Sequence, residues 1–211
     1  MGRHSWGTPL VVLAAAALAA GCAAPSHRFV ASPEDDVVLK LPRTWTKVYS
    51  GPPQSTTGAT AEPGSWLAVY DSARAPKLEN VENQDAAQPV ALMRTFVLDD
   101  EDAASITDDV LRDLVLPVSA GARTQAALVG KSPGEFRLMN SSVIASKNSR
   151  GVRVVYSYDF GNGEVVYDQV AVTDAKRTRL HLFFVHCTKK CYDANRDDIS
   201  GAVSSVTLKT L

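Results

Sequence analysis

The sequence predicts an α+β fold in which α-helices flank an antiparallel β-sheet. Three observations predict it. Apolar residues alternate along several runs in the C-terminal half, and short turns join those runs as they join hairpin strands. Two segments, near residues 105–116 and 192–206, space their apolar residues as helices do. The chain has 211 residues and 45% hydrophobic content, enough for one core. Hairpin-linked strands bring their neighbours into an antiparallel sheet, and amphipathic helices bury their apolar stripe on it.

Taken in order, the folded pattern begins at Glu34. "VVLKLP" puts Val37, Leu39 and Leu41 on one face of a strand, and Trp45 follows as a core anchor. Gly51–Ser65 is rich in Gly, Pro, Ser and Thr and reads as a loop. "WLAVYDS" is a short strand. Ala73–Pro89 is polar and irregular apart from Leu78 and Val81. "VALMRTFVL" (Val90–Leu98) is apolar on both faces, as a covered central strand is. "SITDDVLRDLVLP" reads as a helix with Ser105 as N-cap, Asp108 completing a capping box and Pro117 ending it. "GARTQAALVGKSPGE" reads as a turn region. "EFRLMNSSVIAS" is a strand. "GVRVVYSYDF" places Val152, Val154, Tyr156, Tyr158 and Phe160 on one strand face, and "GNG" turns the chain into "EVVYDQVAVTD". "DAKRT" turns again into "RLHLFFVHC", apolar on both faces. "YDANRDDISGAVSSV" is the last helix and "VTLK" a closing strand.

The N-terminal region divides from this domain. Arg3 precedes an unbroken apolar run of 11 residues, Leu10–Ala20. A bilayer span needs about 20 residues, so the run matches the core of an export signal instead. It ends in "LAAGC", which resembles the lipobox of bacterial lipoproteins, although Ala19 stands where Leu is commoner. The resemblance implies cleavage before Cys22 and a diacylglycerol on its thiol. The organisation is then a signal peptide over 1–21, a tether over 22–33 and a single domain over 34–211. One acyl chain holds a protein marginally and two or more hold it stably. A tether of a dozen residues reaches about 40 Å at most. The expected location is the extracytoplasmic face of a bacterial cell membrane.

Two places within the domain carry a wider resemblance. "LPRTW" near its start and "AVSSVTL" at its end resemble the PsbP/Mog1-like fold, in particular lipoproteins of high-GC Gram-positive bacteria. That resemblance implies an α/β/α sandwich, and binding or assembly rather than catalysis. Residues 51–89 match nothing in it.

Candidate chemistry is sparse. With Cys22 acylated, Cys187 and Cys191 of "HCTKKC" are the two remaining thiols, and an even pair outside the cytosol is expected to form a disulfide. A metal site using His186 or His181 is disfavoured because strand neighbours point to opposite faces. A redox pair would keep CxxC spacing, which this pair lacks. Six carboxylates lie between Asp99 and Asp109 without EF-hand spacing, so they read as solvated helix caps. No nucleophile elbow or phosphate-cradling glycine loop occurs, and no cofactor or metal is expected. A net charge of -1 without a basic stripe disfavours nucleic acid. Tyr156, Tyr158 and Phe160 are the candidate residues for a ligand or partner groove. The expectation is a non-enzymatic binding or accessory module for an envelope protein, lipid or glycan, using loops Gly51–Ser65 and Ala73–Pro89. A small-ligand carrier is the alternative, and an envelope hydrolase ranks behind both.

Overall fold

Ten strands, five α-helices and a 3-10 turn occupy the described residues of a computed structural model, which are 2, 26–33, 36–53, 63–146 and 149–209. All strand pairs are antiparallel. The α+β class expected from the sequence is the class observed. A small sheet joins β1 (His27–Ala31), β2 (Val37–Pro42) and β10 (Thr207–Leu208), with β2 central. A large sheet of seven strands contains β3 (Thr46–Gly51), β4 (Trp66–Asp71), β5 (Val90–Val97) and four longer strands. These are β6 (Glu135–Ala145), β7 (Ser149–Asp159), β8 (Glu164–Asp174) and β9 (Arg179–Thr188). Their order is β3-β4-β5-β9-β8-β7-β6.

Both faces of the middle of the large sheet, at β7, β8 and β9, are covered, and the side-chain alternation of these strands divides the core in two. On one face Val166, Phe183 and Val185 meet Val37, Leu39 and Leu41 of β2 and Ile199, Ala202 and Val203 of α5 (Arg196–Ser204). On the other, Val154, Tyr156, Leu182 and Phe184 meet Leu111 and Val118. Leu111 belongs to α2 (Asp108–Arg112). β8 is therefore buried at every position from Val165 to Thr173, although its sequence alternates as a one-sided strand would.

Several sequence expectations are corrected. The stretch assigned to the tether contains β1, paired from His27↔Pro42 to Ala31↔Val38. The helix expected over 105–116 is two short ones. Asp99 caps α1 (Asp100–Ser105) through Asp102 N at 2.8 Å, and Thr107, not Ser105, caps α2 through Val110 N at 3.2 Å. α2 stops at Arg112 because the Asp113 carboxylate turns outward from the helix path and accepts from Val118 N, Ser119 N and the Ser119 hydroxyl. The expected turn region contains α3 (Ala120–Leu128). Ser119 caps its start, and Gly130, at φ +67°, closes its end with the left-handed conformation glycine tolerates. The last helix is also divided, into α4 (Lys189–Ala194) and α5, at Asn195. The β3 strand escapes the sequence pattern because a bulge between Lys47 and Tyr49 interrupts its alternation.

Candidate functional site

The disulfide corner joins β9 to α4. Cys187 and Cys191 are bonded, with Cα atoms 5.9 Å apart, inside the range such a bridge requires. The Thr188 hydroxyl between them accepts from Cys191 N and caps α4. Both cysteines are buried, so attacking thiolates lack access. His186, one residue earlier, projects to the opposite face of β9. Its ring stacks on Tyr167 with centroids 5.3 Å apart and planes 14° apart. The HCTKKC residues thus do not converge on one point, as strand alternation requires.

His186 is a feature that sequence pattern does not reveal. It is 2% exposed, and neither ring nitrogen has a partner at full hydrogen-bond geometry, although the Val81 backbone lies close. Burial pushes its pKa down to about 4.

Of the candidate groove residues Tyr156, Tyr158 and Phe160, the structure places the two tyrosines in the core instead. Tyr156 stacks on Tyr167 at 5.3 Å and meets Tyr158 edge-on at 6.2 Å. Tyr156 Oη donates to Gln169 Oε1 at 3.3 Å, and Gln169 Nε2 donates to Leu111 O at 2.8 Å. Tyr158 Oη donates to Pro117 O. Phe160 is half-buried at the hairpin end. The physical reason is the strap from α2 through Val118, which lies over this row and hydrogen-bonds its polar ends. Burial accordingly raises the pKa of Tyr156 well above the ordinary phenol value.

Two further polar sets are buried. The Asp168 carboxylate is fully buried and accepts from Arg153 Nε at 2.9 Å and Nη2 at 2.7 Å. Arg153 also donates to Ser204 Oγ at 2.6 Å and Ser200 Oγ at 3.0 Å, tying α5 to the sheet. Burial raises the Asp168 pKa, and its bonds with Arg153 oppose that rise. Second, Asp36 approaches Arg179 Nη1 at 3.4 Å and His181 Nε2 at 3.6 Å, and His181 Nδ1 lies 3.1 Å from Thr95 Oγ1. These are the residue types of an acid–base–nucleophile chain. Thr95 is 0% exposed, however, and a nucleophile must reach its substrate. The set is a buried polar clasp between β5, β9 and the start of β2.

The surface has three notable places. The loop at 73–89 is held rather than loose: Asp71 accepts from Ala73 N, Lys77 N and Asn80 Nδ2, and Thr188 N donates to Ala86 O. A polar depression of about 160 Å³ lies among Glu135, Arg137, Ser157, Asp159 and Glu164. Pockets that enclose drug-sized ligands run from about 300 Å³ upward. Large exposed apolar residues include Leu138 and Val143 on the edge strand β6, Leu128 and Val129 at the end of α3, and Phe29 on β1. Phe29 is absent from the sequence candidates because its strand falls in the stretch read as tether. The signal is present all the same: "HRFVA" and "VVLKLP" are two strand-prone runs separated by "SPEDD", a hairpin pattern. Cys22, the leader apart from Gly2, and residues 54–62 lie outside the described residues.

No family model matches the sequence, and no curated protein matches it. Similar folds occur among solved structures. Cyanobacterial PsbP (CyanoP) from Synechocystis sp. PCC 6803 is 14% identical with a TM-score of 0.47, over 90% of this chain and 96% of that one. The Ran-binding protein Mog1p of Saccharomyces cerevisiae is 9% identical with a TM-score of 0.44, over 86% and 95%. LpqN, involved in cell envelope biogenesis of Mycobacterium tuberculosis, is 10% identical with a TM-score of 0.41, over 87% and 91%. These likenesses concern chain path and carry no site chemistry.

Proposed function

We propose that this chain is an extracytoplasmic lipoprotein, anchored through a lipid on Cys22, whose domain serves as a binding or accessory module for an envelope partner. The observation that carries the reading is "LAAGC" directly after an 11-residue apolar run. The Cys187–Cys191 disulfide supports it, since such bonds persist in oxidising compartments. In this reading the protein is not an enzyme. It acts by tethering and surface recognition, and the partner is an envelope protein, lipid or glycan. Contact is made by residues 51–65 and the exposed side chains of 73–89, among them Arg74, Lys77 and Glu82.

The anchor is tested with Cys22→Ala. Unprocessed precursor or release from the membrane fraction is expected, and unchanged processing and retention would refute lipidation. Recognition is tested by comparing proteins captured from detergent-solubilised membranes with and without residues 54–62. Loss of captured partners is expected, and identical sets would remove that loop from the proposal.

A further inference from the structure

We infer that the outer face of the β1–β2 hairpin, centred on Phe29 and Lys40, lies against an anionic bilayer surface. The inference rests on the lipid anchor at Cys22. Given that anchor, β1 shortens the free tether. The strand begins at His27, five Cα steps after Cys22, and five steps span about 18 Å at most. The start of β1 is also fixed to the domain, because Arg43 N donates to Ser26 O at 3.0 Å. The domain therefore cannot stand off the membrane by the roughly 40 Å that a full tether would allow. The hairpin end is the part held nearest.

What this end presents suits a headgroup layer. Phe29 is 80% exposed, the most exposed of the large apolar side chains described. Lys40 is its cross-strand partner and shares its face, and Arg43 is exposed just past the end of β2. The opposite, inner face of the hairpin is already occupied: Val30 packs on the core, Leu39 and Leu41 are fully buried, and Arg28 donates to Trp45 O. An aromatic ring flanked by flexible cations partitions to the interface of an anionic bilayer, the ring among the headgroups and the cations on their phosphates. Two acidic groups also stand at this end, the exposed Asp197 and Asp198 in the first turn of α5, and Asp198 pairs at 4.0 Å with His27, which shares the strand face of Phe29.

The test uses the full chain as processed in cells, carrying Phe29→Trp, reconstituted in vesicles of phosphatidylcholine and phosphatidylglycerol with brominated acyl chains. Trp45 and Trp66 are buried and serve as an internal reference. Emission from the indole introduced by Phe29→Trp is expected to be quenched. Emission from the indole of a separate Leu128→Trp variant, at an exposed position on α3, is not. Replacing Lys40 and Arg43 with Glu is expected to lower the docked-to-free ratio about fivefold or more per position. Suppose the Phe29→Trp protein floats with the vesicles, yet its new indole is quenched no more than that of the Leu128→Trp protein. That result overturns the docking face and leaves the anchor standing. Quenching indifferent to the two charge reversals overturns the anionic assignment. Failure to float overturns the anchor and the docking face together.

Discussion

His186 shows how much a single buried side chain can tie stability to pH. Its folded pKa is about 4, below the ordinary 6.5, because burial disfavours the imidazolium. Between these values the unfolded chain binds a proton that the folded one does not. The stability it contributes is therefore fully present above pH 6.5 and is lost as the pH falls toward 4. The difference corresponds to about 3 kcal/mol. Urea unfolding near neutral pH and again close to the folded pKa should show this decline, and His186→Phe, which keeps the stack on Tyr167, should flatten it. Asp168 bears on acid stability with the opposite sign, since its pKa is raised, so the wild-type and His186→Phe curves must be compared directly. None of this is legible in sequence. "FFVHC" reads as a strand with histidine on one face, but which residues cover that face depends on Tyr167, aligned with His186 by strand register.

At the scale of elements, α5 is joined to the large sheet by apolar packing and by Arg153. Its guanidinium bridges Asp168 on β8 and the Ser200 and Ser204 hydroxyls on α5. Arg153→Leu would leave the buried Asp168 carboxylate without its cation, with only the Tyr192 hydroxyl still donating to it, and is expected to destabilise by about 3 kcal/mol. Adding Asp168→Asn should recover part of that loss, and a double-mutant cycle in urea measures the coupling. Additive losses would mean that the pair contributes nothing as a pair. The helices also show where sequence reading stops. α3 has a Ser119 cap and a Gly130 terminator, both visible in sequence, yet none of its residues is fully buried, so the apolar periodicity that marks a helix is weak. The 105–116 segment has that periodicity throughout, yet Asp113 diverts its backbone into the strap that roofs Tyr156 and Tyr158. Whether those tyrosines form a groove or a core depends on that diversion.

At the scale of the whole molecule, the disulfide acts chiefly on the unfolded chain. It closes so short a loop that reduction, or a Cys187→Ala and Cys191→Ala pair, should lower global stability by only about 2 kcal/mol. Chemical unfolding with and without reductant checks this, and a much larger loss would mean that the corner itself rearranges. The hairpins of the C-terminal half and the α+β class were determined by the sequence alone. Each is a local pattern: a spacing, or an alternation bounded by turn residues. Only the tertiary structure decided that β8 is covered on both faces, that Tyr156 and Tyr158 are core, and that His181 and Thr95 are sealed from solvent. It also decided that Phe29 stands exposed on the outer face of β1. These depend on contacts between segments distant in sequence. Burial is a property of what lies opposite a residue, and no local pattern records that.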